Sequence, residues 1–249
     1  ESPDDVVVLG ASTAQTVWEL GEQDHVVGMP VGPSTAYLNG SSSRTHVLDI
    51  TDVKIETVVD LGPDLVIAPD IIAEDDVQAL RNAGLTVYRE NDASSLSDVR
   101  NRTETTGRLL GACGEADETI SWMNERLAIV DEAVEGQDRP TVFAGAVSGY
   151  TPGSGTFQGD LITRGGGENA AANMGIQGWK QYQMEAAIEE NPEYFLLSGG
   201  ATVPEDSQLQ ETTAGRENNV VRVNSNYWNQ PAPRVVLAVE NITRQLHPA

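Results

Sequence analysis

The chain has 249 residues, with 38 acidic against 15 basic side chains and a formal net charge of -23. Such a surface repels phosphate backbones and lacks a basic patch, which excludes nucleic acid as a partner. Molar salt shortens the Debye length to about 3 Å and removes most of the self-repulsion of so many like charges, so the composition predicts adaptation to high salt.

The chain as given carries no segment expected to insert into a membrane. Its first residues lack the basic and apolar regions of a signal peptide, and no apolar run approaches the ~18 residues of a spanning helix. Triplets beginning at Asn39, Asn101 and Asn241 match the glycosylation acceptor pattern and favour an outside location. The single cysteine, Cys113, excludes an internal disulfide, and its apolar, glycine-flanked setting predicts a buried thiol.

The first elements alternate between strand and helix. The apolar run Val6–Leu9 predicts a strand, a Gly-Ala-Ser loop follows, and helical spacing of apolar residues predicts a helix over Thr13–Leu20. A second apolar run, Val26–Met29, predicts another strand. A loop rich in Gly, Pro and Ser then extends from Pro30 to Ser43.

Two segments of the chain repeat one another. Ile55–Pro69 and Met184–Ser198 align without a gap, and the alignment matches Glu56 with Glu185. Each segment predicts a short helix opened by a carboxylate, a turn made by a proline and an acid, and a buried strand. A repeat of this kind indicates two similar α/β lobes in one chain.

A long helix is predicted between the repeats. No turn signal occurs from Glu115 to Gly136, which gives about 22 residues and roughly 33 Å of helix. We therefore expect an N-terminal α/β lobe over 1–114, a bridging helix over 115–137 and a C-terminal α/β lobe over 138–249. Further elements predicted in the C-terminal lobe are a strand over Thr141–Val147, a helix over Phe157–Arg164, a strand over Val220–Val223 and a helix over Arg234–Leu246.

Four segments together carry a resemblance to a known family. They are Gly10-Ala11-Ser12-Thr13 after a strand, the Ile55–Pro69 unit, Gly165–Asn169, and Ala232-Pro233-Arg234 before the last helix. In this order they resemble the helical-backbone solute-binding proteins of ABC importers, a family that includes binders of cobalamin, haem and ferric siderophores. The resemblance implies two Rossmann-like α/β lobes joined by one long backbone helix, with a ligand cleft between the lobes and no enzymatic activity.

The resemblance also implies a membrane partner. Each lobe of such a protein docks one surface glutamate onto basic residues of an ABC permease, and Glu56 and Glu185 occupy the matching positions. The repeat itself gives the two carboxylates equivalent places, although each could serve only to stabilise a helix N-terminus. We expect a monomer at the cell surface, anchored by a segment outside this chain and without a cofactor of its own.

Aromatic residues in the expected cleft loops indicate the class of ligand. Large flat ligands such as a corrin or a tetrapyrrole bind well between apolar aromatic walls. We expect cobalamin or a related corrinoid, with haem or a ferric siderophore as the alternative, since Asn226 and Tyr227 replace an acidic residue and a tryptophan of the cobalamin binder. Arg234 is expected either at the ligand or in a salt bridge that closes its loop. The expected ligand-binding residues are Tyr37, Pro69, Asp70, Tyr150, Phe157, Tyr227, Trp228 and Arg234.

Two other kinds of site are weighed against ligand capture. Ser12 follows a strand and precedes a helix, as the nucleophile of a serine hydrolase does, but Ala14 replaces the final glycine of that motif. Transition-metal capture normally uses several histidines with carboxylates. His25, His46 and His247 have no short spacing between them, so we expect no metal site.

Overall fold

The computed structural model describes residues 2–248. Its strands are β1 (Val6–Val8), β2 (Val26–Met29), β3 (Thr45–His46), β4 (Leu48–Asp49), β5 (Asp52–Val53), β6 (Leu65–Pro69), β7 (Val87–Glu90), β8 (Thr141–Phe143), β9 (Tyr150–Pro152), β10 (Glu168–Asn169), β11 (Trp179–Gln181), β12 (Tyr194–Ser198) and β13 (Val220–Val223). Its α-helices are α1 (Ala11–Glu19), α2 (Ile55–Leu61), α3 (Glu74–Asn82), α4 (Leu96–Leu110), α5 (Cys113–Val134), α6 (Phe157–Arg164), α7 (Ala170–Asn173), α8 (Met184–Glu190), α9 (Thr213–Glu217), α10 (Ser225–Trp228) and α11 (Val235–Leu246). Short 3-10 turns cover Gln23–His25, Ser41–Ser43 and Gln208–Glu211.

The first of two compact units contains the residues up to Ala93 together with Asp98–Trp122. Its parallel sheet has the strand order β3-β2-β1-β6-β7. Alternate residues of β1 point to opposite faces, so Val6 and Val8 join one apolar cluster while Val7 joins another. Because helices cover both faces of such a sheet, its central strands are continuous apolar runs and not alternating ones.

The second unit contains Ser94–Ser97 and the residues from Met123 onward. Its parallel sheet has the order β10-β8-β12-β13, and β9 pairs with β11 as a separate antiparallel ribbon. Phe143 on β8 and Phe195 on β12 are fully or almost fully buried. The ring of Phe143 meets Tyr182 edge to face, with the two centroids 4.9 Å apart.

The predicted repeat is confirmed in its boundaries. Every boundary of α8 and β12 lies 129 residues after that of α2 and β6, as Met184 does after Ile55. Both helices end at a residue in the left-handed region, Gly62 with φ 58° and Asn191 with φ 50°. A left-handed residue followed by proline stops a helix, so both turns end in the same way.

The acidic residue after each proline accepts hydrogen bonds from the backbone at the start of a neighbouring strand. Asp64 Oδ2 accepts the amide protons of Asp4 and Asp5 at 2.9 and 3.1 Å, directly before β1. Glu193 Oε1 accepts the amide proton of Thr141, the first residue of β8, at 3.0 Å. The repeated proline-acid pair therefore fixes the start of a neighbouring strand in each unit.

The predicted long helix is confirmed as α5, which is continuous over 22 residues from Cys113 to Val134. Its residues up to Trp122 belong to the first unit, and those from Met123 belong to the second. The expectation of a buried thiol was wrong: Cys113 is exposed because it begins α5, directly after the α4–α5 turn at Gly111. Among residues 2–248, no helix combines the length and apolarity required to cross a bilayer.

Candidate functional site

The carboxyl ends of β1, β6 and β7 form one edge of the first sheet. Ligands of open α/β sheets bind at this edge. Gly10 follows β1 here, and a Cβ on Gly10 would lie 2.8 Å from Pro69 Cγ at the end of β6. Only glycine lets the loop after β1 pass this close to Pro69.

A buried polar network fixes the same edge. Thr13 Oγ1 donates to Glu90 Oε2 at 2.6 Å, and Arg102 Nη2 donates both to that carboxylate and to Ser12 Oγ, the latter at 3.2 Å. The side chains of Glu90 and Arg102 are 4% and 10% exposed. The network connects the loop after β1, the end of β7 and α4.

The network also bears on the hydrolase hypothesis. The partner of the Ser12 hydroxyl is a guanidinium, which cannot accept a proton. The three histidines have other partners among the described residues, since His25 contacts Glu22, His46 contacts Asp49 and His247 contacts the Gly166 carbonyl. Ser12 therefore lacks the general base that a nucleophilic serine requires.

A cavity of about 140 Å³ lies beside this network. It is lined by Tyr88, Glu90, Asn91, Asp92, Asp98, Asn101, Arg102 and Thr105. At about 30 Å³ per water molecule, it has room for four or five waters, which is too little for a whole corrin ring.

Asp70, expected at the ligand, is engaged within the protein. Arg89 Nε donates to Asp70 Oδ1 at 3.1 Å, and the Asp92 amide donates to Asp70 Oδ2 at 3.3 Å. Both carboxylate oxygens thus connect the loops after β6 and β7. Tyr37, in the loop between β2 and β3, is 39% exposed.

Two aromatic rings project from the β9–β11 ribbon of the second unit. Tyr150 and Trp179 are each 50% exposed. Tyr150 pairs with Gln181 and Pro152 with Trp179, so the two rings stand on one face as diagonal neighbours, at roughly 7–8 Å between backbones. Trp179 is not among the residues expected at the ligand from the sequence, although a glycine precedes it as Gly149 precedes Tyr150.

Other aromatics expected at the ligand lie in the interior of the second unit. Phe157 is 6% and Trp228 is 5% exposed, and the Trp228 carbonyl accepts from Gln158 Nε2 at 3.4 Å. Their rings offer little surface to a ligand in this structure. Tyr227 is partly exposed, and Arg234 is exposed at the N-cap of α11.

Ile50 is the most exposed large apolar side chain among the described residues. It lies six residues before Glu56, as Trp179 lies six before Glu185. It occupies the tip of the β4–β5 hairpin, is 95% exposed and has φ 59°, a left-handed conformation that β-branched residues rarely adopt. An isoleucine at a position suited to glycine or asparagine marks the hairpin tip as a candidate functional feature.

Glu56 and Glu185 lie in the first turns of α2 and α8, and both are exposed. Within residues 2–248, neither carboxylate has a hydrogen-bond or ion-pair partner. Lys54 lies two residues before Glu56, but its Nζ pairs with Asp49 Oδ2 at 3.2 Å. Each unit thus presents one free carboxylate at the same place in the repeat.

In the described part of the chain, no three His, Cys, Asp or Glu side chains lie close enough together to hold a metal ion. His46 Nε2 lies 2.7 Å from Asp49 Oδ1, and its Nδ1 accepts the Val31 amide proton at 2.9 Å. The proton therefore resides on Nε2, which is the donor to Asp49. The hydrogen bond from His46, and then that from Lys54, lowers the pKa of Asp49 below its usual value of 3.8.

The chain has two α/β units, each built on a parallel sheet, and both carry the same helix, turn and strand. This architecture defines a solute-binding protein of the two-lobed class. The family described as "Periplasmic binding protein" matches residues 6–227. The chain belongs to this family. Its members bind solutes for transport and are not enzymes, which removes the hydrolase alternative.

Relatives extend the comparison over the whole chain. A cobalamin-binding protein of Halobacterium salinarum is 38% identical over 98% of this chain and 70% of its own length. An uncharacterized ABC transporter substrate-binding lipoprotein of Bacillus subtilis is 28% identical over 100% of this chain and 81% of its own length. The relative from Halobacterium salinarum agrees with the high-salt adaptation predicted from the charge.

Solved structures share the fold. The vitamin B12 binding protein of Vibrio cholerae superimposes with a TM-score of 0.83 at 19% identity, over 98% of this chain and 97% of its own. A periplasmic heme binding protein of Pseudomonas aeruginosa gives a TM-score of 0.84 at 18% identity, over 99% and 94%. The predicted family and the two-lobed α/β fold are confirmed. Such proteins bind small molecules outside the cytoplasm and work with a membrane permease.

Proposed function

We propose that this chain captures cobalamin or a related corrinoid and delivers it to an ABC permease. The observation that carries the proposal is the 38% identity to a cobalamin-binding protein over 98% of the chain. The exposed rings of Tyr150 and Trp179 supply an apolar aromatic surface suited to a flat ligand.

Ligand identity is tested by calorimetry in molar KCl with cyanocobalamin, haem and ferrichrome. We expect saturable one-to-one binding of cyanocobalamin. Removing the rings as Tyr150→Ala or Trp179→Ala should each weaken that binding about tenfold, which corresponds to about 1.4 kcal/mol. Ile129→Ala, which removes an exposed apolar side chain from α5, is the matched control. Binding of haem or ferrichrome without cyanocobalamin would contradict the assignment.

Docking onto the permease is proposed for Glu56 and Glu185. Two fixed carboxylates, one on each unit, orient the protein on a basic surface by charge complementarity. Stabilisation of the helix N-terminus, the other role open to these carboxylates, is a small effect for a 7-residue helix with an exposed acid. The 22-residue α5 is proposed to act as the stiff connection that limits opening to small movements.

Docking is tested in the organism that carries this chain, by chromosomal substitution and uptake of labelled cyanocobalamin. Glu56→Gln combined with Glu185→Gln should abolish uptake and leave the affinity for cyanocobalamin unchanged. Glu115→Gln with Glu132→Gln removes two exposed carboxylates from α5 and should leave uptake intact. Normal uptake by the first double variant would refute the docking roles.

The protein is further proposed to act as a monomer, held at the cell surface by an anchor outside this sequence. A lipoprotein relative in Bacillus subtilis supports surface attachment. Light scattering of the purified chain in molar KCl should give the mass of one chain, with or without cyanocobalamin. A concentration-independent dimer would refute the monomer.

A further inference from the structure

Three triplets of the chain match the acceptor pattern for N-linked glycosylation, and the structure places them in different settings. They begin at Asn39, Asn101 and Asn241. A glycosyltransferase must reach both the carboxamide of the asparagine and the hydroxyl of the serine or threonine two residues later, which is why acceptors lie in surface loops. The local structure at each triplet therefore decides which of the three can accept a glycan.

The triplet at Asn101 lies within α4. Residues two apart on a helix do not face one another, so the Asn101 carboxamide and the Thr103 hydroxyl point in different directions. Thr103 is fully buried, and its Oγ1 donates to the Val99 carbonyl at 2.8 Å. Modification at Asn101 would require part of α4 to unwind and expose its packed face.

The triplet at Asn241 is closed in the same way by α11. Thr243 is buried, and its Oγ1 donates to the Val239 carbonyl at 3.0 Å. The Asn241 carboxamide is itself engaged, because its Oδ1 accepts from Gln245 Nε2 at 2.6 Å. Neither helical triplet therefore offers both of the required groups to an enzyme.

Asn39 lies instead in the loop between β2 and β3, and it is exposed. The Ser41 amide donates to the Leu38 carbonyl at 3.1 Å, and Gly40 has φ 76° and ψ 1°, as the third residue of a type II turn does. Trp18 Nε1 donates to the Asn39 carbonyl at 2.8 Å. The backbone of Asn39 is thus held against α1, while its side chain is presented at a corner of a tight turn.

The two groups that a transferase needs are not engaged elsewhere in this turn. Within residues 2–248, neither the Asn39 carboxamide nor the Ser41 hydroxyl has a hydrogen-bond partner. Ser41 is 3% exposed in the folded loop, but it begins a 3-10 turn of 3 residues, whereas the two helical triplets lie in helices of 15 and 12 residues. Exposing the Ser41 hydroxyl opens one short turn, and such an opening costs far less free energy than unwinding a packed helix.

We propose that Asn39 is the glycan acceptor of this protein and that Asn101 and Asn241 are not. In the reaction, Asn39 Nδ2 forms a bond to C1 of the first sugar of an oligosaccharide carried on a lipid phosphate. The bond between C1 and the phosphate oxygen breaks, and the lipid phosphate leaves with the proton that the carboxamide loses. The inference requires the location outside the cytoplasm that is typical of this family, and it does not depend on which ligand is captured.

The test is mass spectrometry of tryptic peptides of the protein isolated from the organism that carries this chain. We expect the peptide that ends at Arg44 to carry a glycan on Asn39, whereas Asn101 and the peptide Val235–Arg244, which contains Asn241, should be unmodified. An unmodified Asn39 would overturn the proposal. A glycan on either of the other two asparagines would overturn it as well, because transfer would then precede formation of the helices.

Variants made in the same organism identify the triplet. Asn39→Gln and Ser41→Ala should each remove the added mass from the intact protein, whereas Ser41→Thr keeps a hydroxyl and should retain it. Asn101→Gln combined with Asn241→Gln is the matched control and should leave the added mass unchanged. Because the Asn39 side chain has no partner in the described chain, Asn39→Gln should fold as the parent does. Retention of the glycan mass by Asn39→Gln would refute the assignment.

Discussion

Replacing Arg102 by methionine should lower the free energy of unfolding of the protein substantially. In Arg102→Met the Glu90 carboxylate stays buried and keeps only the Thr13 hydroxyl as a donor, at 2.6 Å. Breaking a buried ion pair on one side costs about 3–5 kcal/mol, because it leaves an uncompensated charge away from water. We expect the free energy of unfolding to fall by that amount.

A triple variant tests whether the loss of stability comes from the unpaired Glu90 carboxylate. Thr13→Val, Glu90→Leu and Arg102→Met together replace the network by apolar side chains of similar size, and such replacements are often neutral in stability. We expect the free energy of unfolding of the triple variant to lie within about 1 kcal/mol of the parent value. The effects of the three substitutions would then be strongly non-additive, as expected for residues of one network. Urea titration at constant molar KCl measures each free energy of unfolding without changing the ionic strength.

A loss below about 1 kcal/mol for Arg102→Met would contradict a desolvated Glu90–Arg102 pair, since it falls in the range of an exposed ion pair. The same conclusion follows if the triple variant is as unstable as the single one. In either case the network would not be what fixes the loop after β1.

Three further predictions concern stability. Gly153→Ala should destabilise the protein by more than about 3 kcal/mol in urea titration, because its Cβ would lie 2.0 Å from the Ile176 carbonyl oxygen; an unchanged midpoint would contradict this close approach. Asp64→Asn should cost about 1 kcal/mol, because a neutral amide accepts two backbone amide protons less strongly than a carboxylate, and Asp64→Glu should cost less. Burial raises the pKa of Tyr182 above 10.0, so ionisation is harder in the folded state and stability is lost as the pH rises above that value. Tyr182→Phe should remove this alkaline loss from the melting temperature between pH 8 and 11, and an identical pH profile would count against it.

The repeated elements could be predicted because local chemistry decides them. A first-turn glutamate, a left-handed stop before proline and a buried run of five residues place α2 and β6, and the same signals place α8 and β12. The predicted bounds of β2, α6 and β13 also agree with the structure, because glycine, proline or polar residues flank each of them.

Other elements depend on contacts that are distant in sequence. The strand predicted over Thr141–Val147 ends at Phe143. Beyond it, a Cβ on Gly145 would lie 2.8 Å from both the Phe143 ring and Thr151 of β9, so the path of the chain here depends on packing against another element. β11 is exposed along its length and forms only by pairing with β9, so nothing in Trp179–Gln181 alone indicates a strand. α3 and α4 were missed because their sequences are largely polar, and tertiary packing stabilises them more than local pattern does.

The exposure of the aromatic side chains could not be predicted from the sequence. The aromatic content of the loops indicated a flat ligand, yet the structure exposes Trp179 and buries Phe157 and Trp228. Exposure of a ring depends on which neighbours pack over it, and those neighbours come from other elements. The exposed positions of Glu56 and Glu185 could be placed from the sequence because they follow from the repeat and not from packing, and their docking role stays a prediction.

The scarcity of reactive side chains has a practical use in spectroscopy. Cys113 is exposed and is the single thiol of the chain, so a maleimide dye marks one defined point in the first unit. Lys54→Arg leaves Lys180, on the exposed ribbon of the second unit, as the last side-chain amine for an ester dye. With the N-terminal α-amine blocked first, energy transfer between dyes at Cys113 and Lys180 measures whether the distance between these two points changes when cyanocobalamin is added.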